Sequence, residues 1–218
     1  MRQLPKIGNL NRLPDTAEEL KSIAAALSAS PERLLHLGKK ANEHAVKSLD
    51  LTRYRFIVFA THGLVPFQLG LTQPAIALSA PGVAGIDGEG LLTMEEVLTL
   101  KLDADWVVLS ACNTAAGVSE DAEAVSGLGR AFFYAGRRAL LVTNWEVESL
   151  SARDLVTGVF KAIADDPTVT RAEALRRSMV SLMDRPNWAE ADGRTVHSYA
   201  HPYFWAPYSV IGDGGGGR

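Results

Sequence analysis

Cysteine is nearly absent from this sequence, which has one, Cys112, in 218 residues. A single cysteine excludes an internal disulfide and every zinc site that needs several cysteines. It fits a reducing compartment, and we expect the protein to be cytoplasmic. Basic charge is not in excess either, since the formal net charge is −3. The composition therefore does not favour binding to nucleic acid or to an anionic membrane.

Long apolar runs are also lacking. No run reaches the length that a membrane-spanning helix requires, and the first residues, "MRQLPKIGNLNRLPDT", contain no apolar stretch of the kind found in signal peptides. Four of the five histidines, His36, His44, His197 and His201, are scattered without the spacing of metal ligands. We therefore expect no metal and no cofactor.

What the sequence does contain is typical of a soluble globular protein, with 47% hydrophobic and 22% charged residues. Its length fits one domain with a substantial core. No internal repeat or linker divides it. We predict a single domain over residues 1–213 and a flexible glycine-rich tail over residues 214–218.

Several short segments are apolar throughout and do not alternate with polar residues. Strands of this kind are buried on both faces, which indicates a mostly parallel sheet covered by helices on each side. The predicted strands are "YRFIVFA" (54–60), "PAIALSA" (74–80), "DWVVLSA" (105–111) and "RALLVTNW" (138–145). A last strand, "YFWAPYSVI" (203–211), is predicted at the sheet edge because Pro207 cannot donate to a central ladder.

Helical patterns separate these strands and give an α/β order. The predicted helices cover residues 15–27, 39–49, 94–102, 122–136, 151–166 and 171–184. Three start with a threonine and a glutamate spaced as a capping box: Thr16 with Glu19, Thr93 with Glu96, and Thr170 with Glu173. Ser151 is predicted to cap the fifth helix. No strand precedes the first helix, although a sheet of this class usually opens on one.

Two chemically complementary residues follow predicted strands. His62 comes just after "YRFIVFA", and Cys112 comes just after "DWVVLS". Because the carboxyl ends of parallel strands meet at one edge of a sheet, both side chains are expected at the same edge. A thiol needs a neighbouring base or cation to become a strong nucleophile at neutral pH, and histidine supplies either. The pair provides the minimum chemistry for acyl transfer.

The neighbours of this pair agree with that chemistry. Gly63 allows close approach of the backbone to a substrate. The backbone N–H groups of Gly63 and Cys112 could together stabilise a carbonyl oxygen as it becomes an oxyanion. The residues after Cys112 are small and polar. A structural alternative remains, since a lone cysteine is often a small core residue and a lone histidine is often a satisfied polar one.

The set of motifs resembles a CHAT domain, a caspase-like peptidase domain of the caspase and separase clan. The resemblance covers most of the chain from about residue 50 onward. It rests on "FATHG" (59–63), "DGEGLLTMEEVLTLKLDADWVVLSACNTAAG" (87–117), "GLGRAFFYAGRRALLVTNWEV" (127–147) and "HPYFWAPYSVIGD" (201–213).

The resemblance implies a caspase-like three-layer sandwich with His62 and Cys112 as the catalytic dyad. Their separation of 50 positions along the chain matches the spacing typical of caspases. It further implies a thioester intermediate, an oxyanion held by the N–H groups of Gly63 and Cys112, a protein or peptide substrate, and control by a fused or associated regulatory module.

Substrate selection is less defined. The resemblance places Ser110 near the first specificity pocket, and Trp145 belongs to a loop that borders the cleft. In "NWEVES", Glu146 stands where such domains commonly have a proline. Acidic residues in predicted loops at this edge are Asp87, Asp121, Glu146 and Glu148. If one of them enters the pocket, a basic residue before the cleaved bond is favoured; if none does, a neutral residue is favoured, and the sequence does not decide between the two.

Two other functions remain open. The first is a non-enzymatic interaction domain that keeps the caspase-like fold, which the absent opening strand and the altered "WEVES" loop favour. The second is a nucleotide-binding α/β domain. This is weak because a glycine-rich turn directly after a strand is missing. Gly127 and Gly129 fall inside a helical pattern, where close packing of helix on sheet explains them better.

Overall fold

The computed structural model describes residues 7–110, 122–145, 147–185, 188–189 and 195–215. For residues 122–126, 188–189 and 195–196 it describes the backbone. Cys112, Asp121 and Glu146 lie outside the described residues, as do positions 216–218 of the predicted tail.

Helices and strands alternate between residues 75 and 165, as the sequence predicts, and elements of one type follow each other in the flanking parts. The helices are α1 (Asp15–Ala26), α2 (Pro31–Leu34), α3 (Glu43–Ser48), α4 (Pro81–Ala84), α5 (Met94–Thr99), α6 (Ala122–Tyr134), α7 (Ser149–Asp165), α8 (Arg171–Met183) and α9 (Pro202–Trp205). The strands are β1 (Phe56–Ala60), β2 (Gly63–Leu64), β3 (Ala75–Ala77), β4 (Leu91–Thr93), β5 (Trp106–Ser110), β6 (Ala139–Thr143), β7 (Trp188–Ala189), β8 (Thr195–His197) and β9 (Tyr208–Gly212).

The main sheet has the strand order β1-β5-β6-β9. Strands β1, β5 and β6 are parallel, and β9 pairs antiparallel with β6 at the edge. The edge position of the last strand is therefore confirmed, although residues 202–205 before it form a short helix. The predicted α/β fold with a mostly parallel sheet between helices is also confirmed.

Alternate residues of the central strands face two separate cores. Trp106 and Val108 of β5 pack with α1, α7 and α8 on one face of the sheet, around Phe160. Val107 and Leu109 pack with α5 and α6 on the other face, around Phe132. The helical layers on both faces explain why β5 and β6 are buried throughout and apolar at four of their five positions each.

A second, smaller sheet with the order β2-β3-β4 lies beyond the end of β1. It is antiparallel and has its own core around Leu64, Ala75 and Leu91. Thr93 ends β4 and caps α5, forming with Glu96 the capping box that the sequence predicts. This sheet matters for function because β2 starts one residue after His62.

Two predicted helix starts are wrong. Thr16 does not cap α1, because it lies inside the helix and its hydroxyl donates to the carbonyl of Leu13. The N-cap of α1 is Pro14, and Glu19 turns into the core. Ser151 is likewise inside α7, which Glu148 caps by accepting from the N–H groups of Leu150 and Ser151. At α8, Thr170 caps as predicted.

Two further segments differ from their predictions. The helix predicted over residues 39–49 is shorter, because a single 3₁₀ turn at 38–40 precedes α3. The segment 54–60 was expected to be buried on both faces, yet every residue of β1 is only half-buried. Strand β1 has one partner, β5, and its other edge is unpaired in the described structure.

Buried charge fixes the amino ends of the strands. Asp105, just before β5, accepts a hydrogen bond of 2.8 Å from Nε of Arg55, just before β1. Arg171 at the start of α8 is also buried and lies 3.8 Å from the other oxygen of Asp105. The same arginine holds the chain end, since its Nη1 donates to the carbonyls of Asp213 and Gly215.

Among the helices of the described ranges, none combines the length and the apolar character that crossing a membrane requires.

Candidate active site

The carboxyl ends of β1, β5 and β6 meet at one edge of the main sheet. The register pairs Ala60 of β1 with Ser110 of β5. His62 follows Ala60 by two residues, and in the sequence Cys112 follows Ser110 by two residues. The two candidate catalytic positions are thus at the same distance along the chain from the last matched pair of neighbouring strands.

The backbone of His62 is fixed by the smaller sheet. Its carbonyl accepts a hydrogen bond of 2.9 Å from the N–H of Ala77, the last residue of β3. The hydroxyl of Thr61 donates to the carbonyl of Ala77 at 2.8 Å. His62 is therefore held between the end of β1 and the start of β2.

The imidazole of His62 is fixed by a residue that the sequence did not indicate. Its Nε2 lies 2.7 Å from the backbone carbonyl oxygen of Asn11. A carbonyl can only accept, so this contact requires Nε2 to carry the proton. In the neutral ring, Nδ1 is then the nitrogen with a free electron pair. The side chain of residue 11 takes no part in this contact, which is why no sequence motif could have revealed it.

Gly63 presents its N–H away from the smaller sheet. In an antiparallel pair of strands, hydrogen-bonded and non-hydrogen-bonded residue pairs alternate. His62 accepts a hydrogen bond from Ala77, so the next residue, Gly63, is in a non-hydrogen-bonded pair with β3. None of the described residues accepts a hydrogen bond from Gly63. Within the described part of the chain, its N–H is therefore available to a ligand.

Ser110 contacts a buried carboxyl group. Its hydroxyl hydrogen-bonds to Glu19 of α1, and the two residues are 7% and 4% exposed. Burial raises the pKa of the Glu19 carboxyl to about 7, against the smaller opposing effect of Ser110. The Oε1 atom of Glu19 has no hydrogen-bond partner within the described ranges. A signal for this burial exists in the sequence, because Glu19 lies one turn before the buried Ile23.

Trp145 lies two residues beyond β6 at the same edge of the sheet. Its side chain is 38% exposed, and its Nε1 donates to the carbonyl of Tyr203 at 3.4 Å.

Of the acidic residues expected near a specificity pocket, Glu148 caps α7 and Asp87 lies in an exposed turn. Asp121 and Glu146 are outside the described residues, so the pocket interpretation of Ser110 and Trp145 stays a prediction.

Across the described ranges, no group of three or more His, Cys, Asp and Glu side chains comes together as a metal site would require. Gly129 packs against the sheet as predicted, since an added Cβ would stand 3.6 Å from Leu140 of β6. Gly127 differs from the prediction, because an added Cβ there would stand 2.9 Å from the sulfur of Met94 in α5.

Comparison with known proteins gives the family. No curated protein matches the chain significantly. A family profile, described as "CHAT domain", matches residues 5–213, which is nearly the whole sequence. The match includes both strands that lead to His62 and Cys112, together with α1 and β9. The chain therefore belongs to the CHAT domain family, whose fold is caspase-like.

Proposed function

We propose that the protein is a cysteine endopeptidase with His62 and Cys112 as its dyad. The observation that carries the proposal is the register of β1 and β5, in which Ala60 is paired with Ser110. His62 and Cys112 each follow one of these paired residues by two positions. The contact between His62 Nε2 and the carbonyl of Asn11 adds support, because it leaves Nδ1 as the ring base.

In the proposed acylation step, His62 Nδ1 takes the proton from the thiol of Cys112. The sulfur attacks the carbonyl carbon of the scissile peptide bond, and the carbonyl oxygen becomes an oxyanion. The N–H groups of Gly63 and Cys112 stabilise that charge. The C–N bond then breaks as His62 gives its proton to the leaving amine, and a thioester remains on Cys112.

In the deacylation step, water attacks the thioester carbonyl while His62 accepts one of its protons. The oxyanion forms again at the same N–H groups. The C–S bond breaks, the acid product leaves, and the sulfur regains its proton from the imidazolium. Each proton removed by His62 is returned within the cycle, so no cofactor or metal is needed.

The substrate in this proposal is a protein or peptide in the cytoplasm, where a single cysteine stays reduced. A fused or associated regulatory module would control its cleavage. Ser110 and Trp145 would border the site where the residue before the cleaved bond is bound.

The experiment maps new protein N-termini in an extract treated with the full chain. We expect a defined set of cleavages with the wild type and none with Cys112→Ala or His62→Ala. His44→Ala is the matched control, because His44 is an exposed histidine on α3. Cleavages that persist in Cys112→Ala would contradict the proposal, as would their absence from the wild-type digest.

A second candidate function is a non-enzymatic interaction domain. The specific observation in its favour is the unpaired outer edge of β1, which a binding partner could cover. The same extract experiment separates the two, because a pure binding domain would yield no cleavage that depends on Cys112.

A further inference from the structure

Strand β1 borders an open, mostly apolar slot of about 740 Å³. The slot runs along the whole strand, since every residue from Phe56 to His62 lines it. We call this space the β1 slot. It is separate from the chemistry proposed for Cys112, although His62 stands at one end of it.

The backbone of β1 offers unused hydrogen-bonding groups to the β1 slot. Arg55 accepts from Trp106 of β5, and in a parallel ladder the bonded residues alternate, so Arg55, Ile57 and Phe59 face β5. The N–H and C=O groups of Phe56, Val58 and Ala60 therefore point into the slot. No described residue hydrogen-bonds to them.

Apolar side chains close the β1 slot on both faces. Leu20 and Ala24 of α1 line one face, and Val46 and Leu49 line the other. Segment 35–37 also lines the slot; its residues Leu35 and Leu37 have extended backbone, and it belongs to none of the three described sheets. An extended chain between these walls would be buried on both faces and would extend the sheet by one strand.

The end of the β1 slot beside His62 is basic. Arg12 follows Asn11, whose carbonyl contacts His62. Lys40 precedes Ala41, whose carbonyl accepts from Ser79 just beyond β3. Both side chains belong to residues that line the slot, and no aspartate or glutamate of the described chain does so. A bound strand would meet complementary charge here if it carried carboxylates at this end.

We propose that the β1 slot binds one extended segment of another protein, parallel to β1, with apolar residues on both faces and acidic residues at its carboxyl end. Parallel pairing, as in β5, puts that acidic end beside Arg12 and Lys40. A second copy of this chain could not insert its β1 into the slot, because that strand carries its own helices on both faces and they would occupy the space of the slot walls. A free peptide strand has no such layers.

The test uses the full chain and a fluorescent peptide, acetyl-Ser-Lys-Val-Ala-Val-Ile-Val-Asp-Asp-amide. Fluorescence anisotropy should show saturable binding, and the same peptide in reversed order should bind at least about tenfold more weakly. Amide hydrogen exchange measured by NMR should slow at Phe56, Val58 and Ala60 when the peptide binds. Exchange at Ile57 and Phe59 should stay unchanged, because these amides already bond to β5.

Substitutions locate the binding further. Val58→Pro removes an N–H that faces the slot and leaves the β5 ladder intact, so binding should weaken at least about tenfold. Val58→Ala keeps the N–H and should bind within about threefold of wild type. If Val58→Pro does not fold, Arg12→Gln with Lys40→Gln provides the test, with binding about fivefold weaker and less sensitive to salt.

Three results would overturn the proposal: no binding of the peptide, equal binding of the reversed peptide, or protection confined to another surface. Protection of Phe56, Val58 and Ala60 that rises with protein concentration in the absence of peptide would assign the slot to a second copy and would also overturn it.

Discussion

The carbonyl oxygen of Asn11 lies 2.7 Å from Nε2 of His62. The contact joins the segment before α1 to the end of β1, 51 residues later in the chain. Because a backbone carbonyl cannot donate, the contact selects one tautomer of the imidazole. It also orients the ring, so that the first residues of the described chain contribute directly to the candidate site.

The tautomer of His62 is the first prediction. In the neutral ring, Nε2 should carry the proton and Nδ1 should not, because the Asn11 carbonyl accepts from Nε2. Long-range nitrogen–proton NMR spectra of the selectively labelled chain distinguish the two forms. His62→Ala assigns the signal by its loss. A spectrum with the proton on Nδ1 would show that the Asn11 contact does not hold in solution.

Glu19 is predicted to make stability depend on pH. Burial raises the pKa of its carboxyl from 4.5 to about 7, so between these values the folded chain keeps a proton that the unfolded chain releases. Stability is therefore lost as the pH rises through this window and is level above it. Glu19→Gln has no carboxyl to titrate, so its free energy of unfolding should not fall in this way. The difference between Glu19→Gln and the wild type should therefore increase by up to about 3 kcal/mol between pH 4.5 and pH 7.

Urea unfolding of both proteins across this pH range measures the difference. Glu18→Gln on the same helix is the control. Glu18 is exposed, and its hydrogen bond to Lys21 lowers the pKa of its carboxyl, so any effect should be small and opposite in direction. A Glu19→Gln difference that does not change with pH would mean that this carboxyl is not buried as described.

Asp105 is predicted to be essential for stability. It accepts from Arg55 at 2.8 Å and lies 3.8 Å from the buried Arg171. Asp105→Asn removes the buried carboxylate beside Arg171 and leaves it the more exposed carboxylate of Asp213, 3.5 Å away. We expect a loss of about 3 kcal/mol in the free energy of unfolding. Asp87→Asn, at an exposed position before β4, should change it by about 0.5 kcal/mol or less. Equal effects of the two changes would contradict the assignment.

Gly136 is predicted to resist substitution. It has a φ of +105° after α6, and an added Cβ would stand 2.3 Å from the carbonyl oxygen of Leu102. Gly136→Ala should cost about 2 kcal/mol or more. Gly129→Ala is the matched control: it lies inside α6 with ordinary contacts, and it should be neutral or stabilising by up to about 1 kcal/mol. Thermal or urea unfolding checks both, and a neutral Gly136→Ala would refute the turn geometry.

The sequence predicted the central strands well because their apolar residues face helices on both sides of the sheet. Trp106, Val107 and Leu140 are all fully buried, and a continuous apolar run reports this directly. The same signal misjudged β1. Its side chains also face helices, but a pattern of side chains carries no information about whether the backbone at a strand edge has a partner.

The candidate site was predictable to a lesser degree. His62 was found because its imidazole can act as a base, and Gly63 was found because it has no side chain to block a substrate; both lie just after a predicted strand. The Asn11 contact uses backbone alone, and Glu19 resembled a capping residue because its spacing from Thr16 fits that motif. Cys112 remains a prediction from its place after β5, and Ser110 and Trp145 remain predictions as pocket residues.

The most direct test of the dyad is the rate at which iodoacetamide alkylates the chain at neutral pH. Only Cys112 can react as a thiol, so the rate belongs to one atom. We predict fast alkylation of the wild type, a rate at least about tenfold lower in His62→Ala, and an unchanged rate in His44→Ala. A slow wild-type rate that His62→Ala does not alter would show that the imidazole does not activate the thiol, and the proposed mechanism would be wrong.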